Sequence, residues 1–365
     1  MTEAAFFPHG SVLERAGIMV RNVFGQKEGG AYLAEKTSFC ALAGLMTGID
    51  LSNLPDNKRT FFESSFEFLM YSNFCLDQVV QRAGEESGAQ GLKRQEAFWI
   101  GKSLAEMMKA GLEAGYRPEV LNSIGEWFSL NRVINLCSLA ISRDEDLLSA
   151  PFWTTFDNNG PEKEMAERVR SVFRECPKDK ISQSIIFRAL SSAEFAKTLS
   201  TLALDKKLEA TDIDDRTLVT RTTAMTMAAQ AVDDLGTLAK DVEFEHAGIA
   251  VSVVSGKWRE GGLDISPKES LAAIYLSRQV LGACLKLMRI SSNFKEDIAR
   301  LGLVALGITV PIMMREYGGS RYPVVPTAKA VWEELRLSLG KKNSEGEYGQ
   351  LTQKAVNLAI EAVLK

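Results

Sequence analysis

Two aspartates and a threonine recur at regular spacing near the middle of the chain. Asp233, Thr237 and Asp241 follow one another at intervals of four residues within a helical sequence pattern. Residues at this spacing lie above one another on one helix face. Two carboxylates and a hydroxyl in one row are ligands for a hard cation such as Mg²⁺. Lys240 adds a positive charge beside the row, and a metal with a lysine is a combination that binds phosphate or diphosphate.

The nine residues 233–241 read Asp-Asp-Leu-Gly-Thr-Leu-Ala-Lys-Asp. This run resembles the second metal-binding motif of class I terpene synthases: Asn or Asp, then Asp, an aliphatic residue, any residue, Ser or Thr, three more residues, and Glu. Asp241 stands where the family has Glu, and Lys240 matches a lysine that is common in bacterial members. The alternative is a solvated acidic helix face, on which Asp233 and Asp241 lie two helical turns apart.

The resemblance implies further positions. The family carries an arginine about 45 residues before its first ligand, which donates hydrogen bonds to the diphosphate, and here that residue is Arg188. The ordinary alternative for an arginine in an apolar helix is a carboxylate partner in the core. An Arg-Tyr pair closes over the diphosphate in the family. Arg321-Tyr322 lies at about the expected separation, with Arg315 and Tyr317 as a competing pair.

The chain departs from the family at the first metal motif, an Asp-Asp-x-x-Asp or Glu box. The best counterpart is residues 77–81, which read Asp-Gln-Val-Val-Gln. The resemblance implies that Asp77 bridges metal ions, with up to three Mg²⁺ ions bound in all. Gln78 and Gln81 are neutral, and fewer negative charges weaken Mg²⁺ binding. Phe74, one turn earlier, is the candidate aromatic ring for stabilising a carbocation, and ordinary core packing is the alternative.

Composition excludes several classes of function. A net charge of −4 and a pI of about 5.6 argue against nucleic-acid binding. With only His9 and His246, and neither in a nucleophile context, a Ser–His or Cys–His hydrolase is disfavoured. The five cysteines are too scattered for a zinc site or a disulfide framework, so we expect a reducing, cytoplasmic location. The most apolar stretch, Leu301 to Met314, is too short to span a membrane.

Helical periodicity covers almost the whole chain and predicts an all-α fold of about a dozen helices. We expect one domain over residues 1–365, and the resemblance implies a class I terpenoid synthase-like bundle around a central cavity. The helix over 217–232 is apolar on more than one side and is expected at the centre. The predicted helices are 11–25, 32–48, 58–84, 92–114, 118–142, 162–174, 181–205, 215–243, 267–291, 294–316, 326–339 and 349–364.

The activity that the resemblance implies is Mg²⁺-dependent ionisation and cyclisation of an isoprenyl diphosphate, most simply farnesyl or geranylgeranyl diphosphate, to a terpene hydrocarbon or alcohol. Two alternatives stay open. Gln230, Asp233 and Asp234 match the second box of isoprenyl chain-elongating transferases, but Thr237 stands where that family has Asp. The second alternative is a non-catalytic helical binding protein that lost its first metal motif. The sequence decides neither the substrate's chain length nor the oligomeric state, and a homodimer is one arrangement that it allows.

Overall fold

The structure is a computed structural model, and almost all of the chain that it describes is helical. It describes residues 43–51, 54–62, 65, 107–156, 161–236, 238, 242, 248–254, 258–259, 262–263, 265–290, 295–305 and 346–365. Six long helices run through these residues: α1 (Pro118–Ser142), α2 (Pro161–Arg174), α3 (Lys180–Leu204), α4 (Ile213–Gly236), α5 (Pro267–Met288) and α6 (Glu347–Leu364). Shorter helical segments cover 43–47, 56–62, 107–113 and 295–305, with 3-10 turns at Leu147–Ser149, Pro151–Phe156 and Val251–Val253.

The all-α prediction is confirmed for the described residues. The predicted helix 118–142 matches α1 at both ends, and α2, α3 and α6 begin within two residues of their predicted starts. The helix predicted over 215–243 corresponds to α4, beyond which residues 238 and 242 are also helical. The predicted helices 11–25 and 326–339 lie outside the described residues. One hairpin was not predicted: Trp258–Arg259 pairs antiparallel with Gly262–Leu263, which is too short to produce a two-residue period.

Local sequence explains where two of the long helices begin and where one ends. Asp179 caps α3, since its carboxylate accepts a hydrogen bond from the Ser182 amide at 2.9 Å. After α3, Asp205 takes a left-handed conformation (φ 49°) that ends the helix. Ser266 and Glu269 form a capping box at the start of α5, each accepting from the other's backbone N–H.

The last helix begins with a cap that comes from another helix. Gly346 precedes α6 and has no side chain to accept from the first turn. Instead the Gln279 side chain of α5 reaches across, and its Oε1 accepts from the Tyr348 amide at 3.1 Å and the Gly349 amide at 3.4 Å. A Cβ at position 346 would lie 2.2 Å from that oxygen, so this close approach requires glycine.

Helix α4 lies at the centre of the described bundle. It packs against α3, α5 and α6 and contributes a nearly continuous set of buried side chains. This arrangement confirms the expectation that the segment 217–232 is buried on several sides. The buried apolar residues of α4 are Val219, Ala224, Met225, Met227, Ala228, Ala229, Ala231, Val232 and Leu235.

Three cysteines lie in this core as free thiols: Cys137, Cys176 and Cys284. Burial raises the pKa of the Cys284 thiol to about 12 and raises that of Cys137 as well. These thiols therefore stay protonated and act as small apolar groups. Cys40 and Cys75 lie outside the described residues.

Within the described part of the chain, one helix is long and apolar enough to cross a membrane, namely α5. Of its most apolar stretch, 61% is buried inside the protein, where it contacts α4 and α6. Such burial is usual for the core helix of a bundle. The stretch that the sequence singled out, Leu301 to Met314, is described only as far as residue 305.

Candidate functional site

A buried ion pair joins α3 to α4 at the start of the acidic row. Arg188 donates twice to Asp234, from Nη2 to Oδ1 at 2.5 Å and from Nε to Oδ2 at 3.3 Å. The Asp234 side chain is 1% exposed, whereas the Arg188 side chain is 18% exposed. Two N–H donors on one carboxylate form the strong bidentate geometry of Arg–carboxylate pairs. Removing either residue would leave the other charge buried without its partner, which would cost folding free energy.

The Asp234 carboxylate accepts a third hydrogen bond, from the backbone of the segment that follows the acidic row. The Ile249 amide donates to Oδ2 at 2.7 Å. Next to it, a Cβ on Gly248 would lie 3.0 Å from the same oxygen and 3.5 Å from Arg188 Nη2. The lack of a side chain at 248 thus lets the backbone approach the ion pair closely. One carboxylate therefore fixes both the guanidinium and the turn at 248–250.

A second polar pair sets the register of the two helices. Ser192, one turn after Arg188 on α3, donates from Oγ to Gln230 Oε1 at 2.9 Å, and Gln230 lies one turn before Asp234 on α4. The two pairs are stacked because α3 and α4 run antiparallel. This register places the first half of α3 beside the end of α4, where the acidic row begins.

Asp233, the first predicted metal ligand, lies at this end of α4 and is partly exposed. Successive residues on a helix are turned by about 100°. Asp234 faces α3, so Asp233 lies on a neighbouring face of α4. Residues 238 and 242 are helical, which is compatible with the helical spacing predicted for the row.

The other predicted site residues lie outside what the structure describes, so their placement stays a prediction. From the first metal motif these are Asp77 and the nearby aromatic Phe74. From the second motif they are Thr237, Asp241 and Lys240. The Arg321-Tyr322 pair also lies outside the described residues. The glutamines Gln78 and Gln81 belong with them.

Whether this site suits a metal ion depends on which of its side chains can supply ligand atoms. Among the described residues, no group of three or more His, Cys, Asp or Glu side chains could hold a metal ion. Both oxygens of Asp234 already accept from N–H donors. Asp233 is the predicted ligand of the motif that lies within the described residues, and with Thr237 and Asp241 it would form the oxygen-only set that Mg²⁺ prefers.

The sequence leaves two partners open for Arg188, a diphosphate or a core carboxylate, and the structure supplies a carboxylate. The sequence alone does not identify Asp234 as the partner, because that identification requires knowing which faces of α3 and α4 meet. A signal is present in hindsight: polar residues recur four apart on both helices, at 188 and 192 and at 230 and 234. Antiparallel helices bring two such pairs together.

A second buried charge cluster, which no sequence motif marks, ties α4 to the segments 295–305 and 43–47. Arg300 donates to Asp297 at 3.2 Å, and Arg221 of α4 lies 4.0 Å from the same carboxylate oxygen. Arg221 also donates to the Thr47 carbonyl. Burial lowers the pKa of the Arg221 guanidinium even though Asp297 opposes this shift. Arg300 also pairs with Glu296 at 2.5 Å, so two arginines face two carboxylates, which indicates a structural role.

Comparison with protein-family models, with curated proteins and with solved structures gives no match for this chain. The resemblance to class I terpene synthases therefore depends on the residues quoted from the sequence. The described part of the site adds the position of Arg188, bonded to the second residue of the 233–241 run and 2.5 Å from its carboxylate.

Proposed function

We propose that this protein ionises an isoprenyl diphosphate in a Mg²⁺-dependent reaction and cyclises the allylic cation that results, with release of diphosphate. The observation that supports the proposal most is the position of Arg188, which lies at the start of the 233–241 motif although its described partner is a carboxylate, that of Asp234. It brings an arginine from α3 to the start of the 233–241 motif, where a diphosphate held by that motif would lie. Arginine matches phosphate groups through paired N–H donors.

The proposal gives the predicted residues distinct tasks. The metal ligands are Asp77, Asp233, Thr237 and Asp241. Bound Mg²⁺ would neutralise the negative charge that develops on the diphosphate as the carbon–oxygen bond breaks. The residues around the substrate are Arg188, Lys240 and Arg321 at the leaving group, Tyr322 beside them, and Phe74 near the cation. The reaction ends by proton loss or water capture, and no histidine is needed.

Asp234 has a supporting task in this proposal. It bonds Arg188 at two of the three guanidinium nitrogens, so the group is held in one orientation. A donor that is fixed before the substrate arrives stabilises developing charge without the cost of reorganising. The exposed 18% of the Arg188 side chain makes it the accessible member of the pair, whereas Asp234 is covered.

A second candidate function follows from the first metal motif. Asp77 is the only acid in the run 77–81, so metal binding there is weaker than in an intact box. This observation favours a non-catalytic protein that binds an isoprenyl diphosphate without ionising it. The chain-elongating alternative requires a second substrate, isopentenyl diphosphate, and can be tested in the same assay.

The test is to incubate the protein with geranyl, farnesyl and geranylgeranyl diphosphates plus Mg²⁺, and to measure diphosphate release and extracted terpenes. A cyclase releases diphosphate and yields a hydrocarbon or alcohol from at least one substrate. Binding without release, with Mg²⁺ and with Mn²⁺, would overturn the proposal in favour of the binding protein. A longer isoprenyl diphosphate, formed only when isopentenyl diphosphate is added, would identify a transferase.

A matched pair of variants distinguishes the loss of a metal ligand from the general effect of neutralising an aspartate on α4. Asp233→Asn removes one predicted ligand and should lower turnover by about 100-fold or more. Asp214→Asn makes the same chemical change at the exposed start of α4, about 28 Å away along the helix, and should leave turnover unchanged. If Asp233→Asn turns over as fast as Asp214→Asn, Asp233 is not a ligand.

A further inference from the structure

Exposed large apolar side chains concentrate on α5. The described residues include six such side chains, and three of them lie on α5 or directly after it: Leu271, Tyr275 and Ile290. Leu271 is 67% exposed and Tyr275 is 58% exposed, and the two lie one turn apart on one face of the helix. A single exposed apolar residue is ordinary on a protein surface, whereas neighbouring ones that form a patch mark an interaction site.

Cationic side chains lie on the same face of α5. Successive residues turn by about 100°, so positions 268, 271, 275 and 278 fall within an arc of about 80°, and positions 286 and 289 return to this arc. The cations of the arc are Lys268, Arg278, Lys286 and Arg289. Between positions 267 and 290 the sequence has one acid, Glu269, which accepts from Ser266 in the capping box and lies outside the arc. This face is therefore cationic, although the chain has a net charge of −4.

The face consists of two patches, because Gly282 in the middle of the arc is buried. The first patch, at the start of α5, is formed by Lys268, Leu271, Tyr275 and Arg278. The second, at its end, is formed by Lys286, Arg289 and Ile290. Each patch combines exposed cations with an exposed apolar side chain. From position 268 to position 289 the helix rises by about 32 Å, so a partner that contacts both patches has an extended surface.

The start of α4 shows that exposure and charge do not always coincide in this way. Ile213 is 72% exposed, but Asp212 and Asp214 flank it in the sequence. It lies about 33 Å along α4 from Leu235, which packs with Ala273 of α5. Ile213 is therefore an equally exposed apolar side chain in an acidic setting, far from the first patch.

We propose that the two patches of α5 rest on the surface of a membrane that contains anionic phospholipids. The lysines and arginines bind the headgroup phosphates, while Leu271 and Ile290 enter the boundary between headgroups and acyl chains. Tyr275 suits that boundary, since its ring is apolar and its hydroxyl is polar. A nucleic acid would pair with the cations but leave the apolar side chains in water. The helix lies on the membrane and does not span it, because 61% of its most apolar stretch is buried inside the protein.

Sedimentation of the whole chain with lipid vesicles tests the proposal. Vesicles of phosphatidylglycerol and phosphatidylcholine in equal parts should bind the protein about tenfold or more tightly than vesicles of phosphatidylcholine alone. Sodium chloride at about 0.5 M should release it, because salt screens the contacts between exposed charges. Equal binding to both kinds of vesicle would overturn the proposal, and so would no binding to phosphatidylglycerol at about 1 mM lipid. Binding to a DNA duplex as tight as to phosphatidylglycerol vesicles would identify a general polyanion site instead.

Variants of exposed side chains locate the contact with little risk to folding. The double change Leu271→Ser and Tyr275→Ser should weaken vesicle binding by about tenfold or more, whereas Ile213→Ser should alter it by no more than about twofold. Lys268→Gln should weaken binding by about fivefold, and Lys207→Gln, at an exposed lysine after α3, should have little effect.

Two results with these variants would contradict the proposal. If the Leu271→Ser, Tyr275→Ser protein and the Ile213→Ser protein bind vesicles equally, the contact does not lie on α5. If sedimentation velocity shows a dimer of the wild type that the double change dissociates, the partner of this face is a second copy of the chain and not a membrane.

Discussion

The pairing of Arg188 with Asp234 makes a quantitative prediction about stability. Asp234→Ala removes the acceptor of three N–H groups and leaves the guanidinium largely buried without that carboxylate. Removing one partner of a buried ion pair costs about 3–5 kcal/mol. The 18% exposure of Arg188 lets water reach the guanidinium, so we take the lower end, and the lost Ile249 bond adds about 1 kcal/mol. The free energy of unfolding should fall by about 4 kcal/mol in all.

Urea unfolding of wild type, Asp234→Ala, Arg188→Ala and the double variant measures this effect. We expect the two changes to couple by about 2 kcal/mol, because each single variant leaves a buried charge that the double variant no longer has. Hydrogen exchange gives a local measure. The Ile249 amide should lose protection in Asp234→Ala, whereas the Ser252 amide, which donates to the Gly248 carbonyl, should lose less.

Two results would refute this reasoning. A coupling below about 0.5 kcal/mol would mean that Arg188 and Asp234 act independently, since that is the error range of additive sites. Unchanged exchange at Ile249 in Asp234→Ala would mean that the carboxylate does not hold the turn at 248–250. The first result would also mean that the bond to Asp234 does not hold Arg188 in its position beside the 233–241 motif.

Three further predictions concern other parts of the molecule. In urea unfolding, Gly48→Ala should lower the free energy of unfolding by about 2 kcal/mol or more, because φ is +70° and the new Cβ would lie 2.1 Å from Arg300 Nη1. Gly115→Ala is the control: φ is +79° but the space around it is open, so the free energy of unfolding should fall by only about 1 kcal/mol. The Cys284 thiol, whose pKa burial raises to about 12, should stay unmodified by a thiol reagent at about pH 8 until the protein unfolds; rapid modification of folded protein would contradict this. The pKa of Glu194 is raised by burial, so its contribution to stability is present below its ordinary pKa and is lost as pH rises through the raised value. Relative to Glu194→Gln, wild type should therefore lose unfolding free energy as the pH rises above about 4, the ordinary pKa of a glutamate, and a wild-type stability that instead rises relative to that variant with pH would contradict the assignment.

Helix positions were predictable because they depend on local sequence. Pro118 starts α1, and Ser266 with Glu269 starts α5, so a turn signal next to an apolar period fixes each start within a few residues. The central position of α4 was also predictable, since it is apolar on several sides. The short hairpin at 258–263 was not, because two-residue strands carry no period.

The site was predictable only in part. The sequence identifies Asp233 and Arg188 as candidates, but the contact between Arg188 and Asp234 depends on how two helices face each other. Glu194 illustrates the same limit: a glutamate in an apolar helix does not indicate whether a partner lies across the bundle. Helical spacing gives a residue's direction on its own helix, whereas its partner is determined by packing.

The cap that α5 provides for α6 links local order to tertiary assembly. Gln279 lies 69 residues before Tyr348, so the first turn of α6 has its amides bonded only after the two helices have met. A peptide covering residues 346–365 alone would therefore fray at its amino end, where Gly346 gives no support. The first turn of α6 therefore reports on tertiary packing. Protection of the Tyr348 and Gly349 amides from hydrogen exchange shows that α6 is packed against α5.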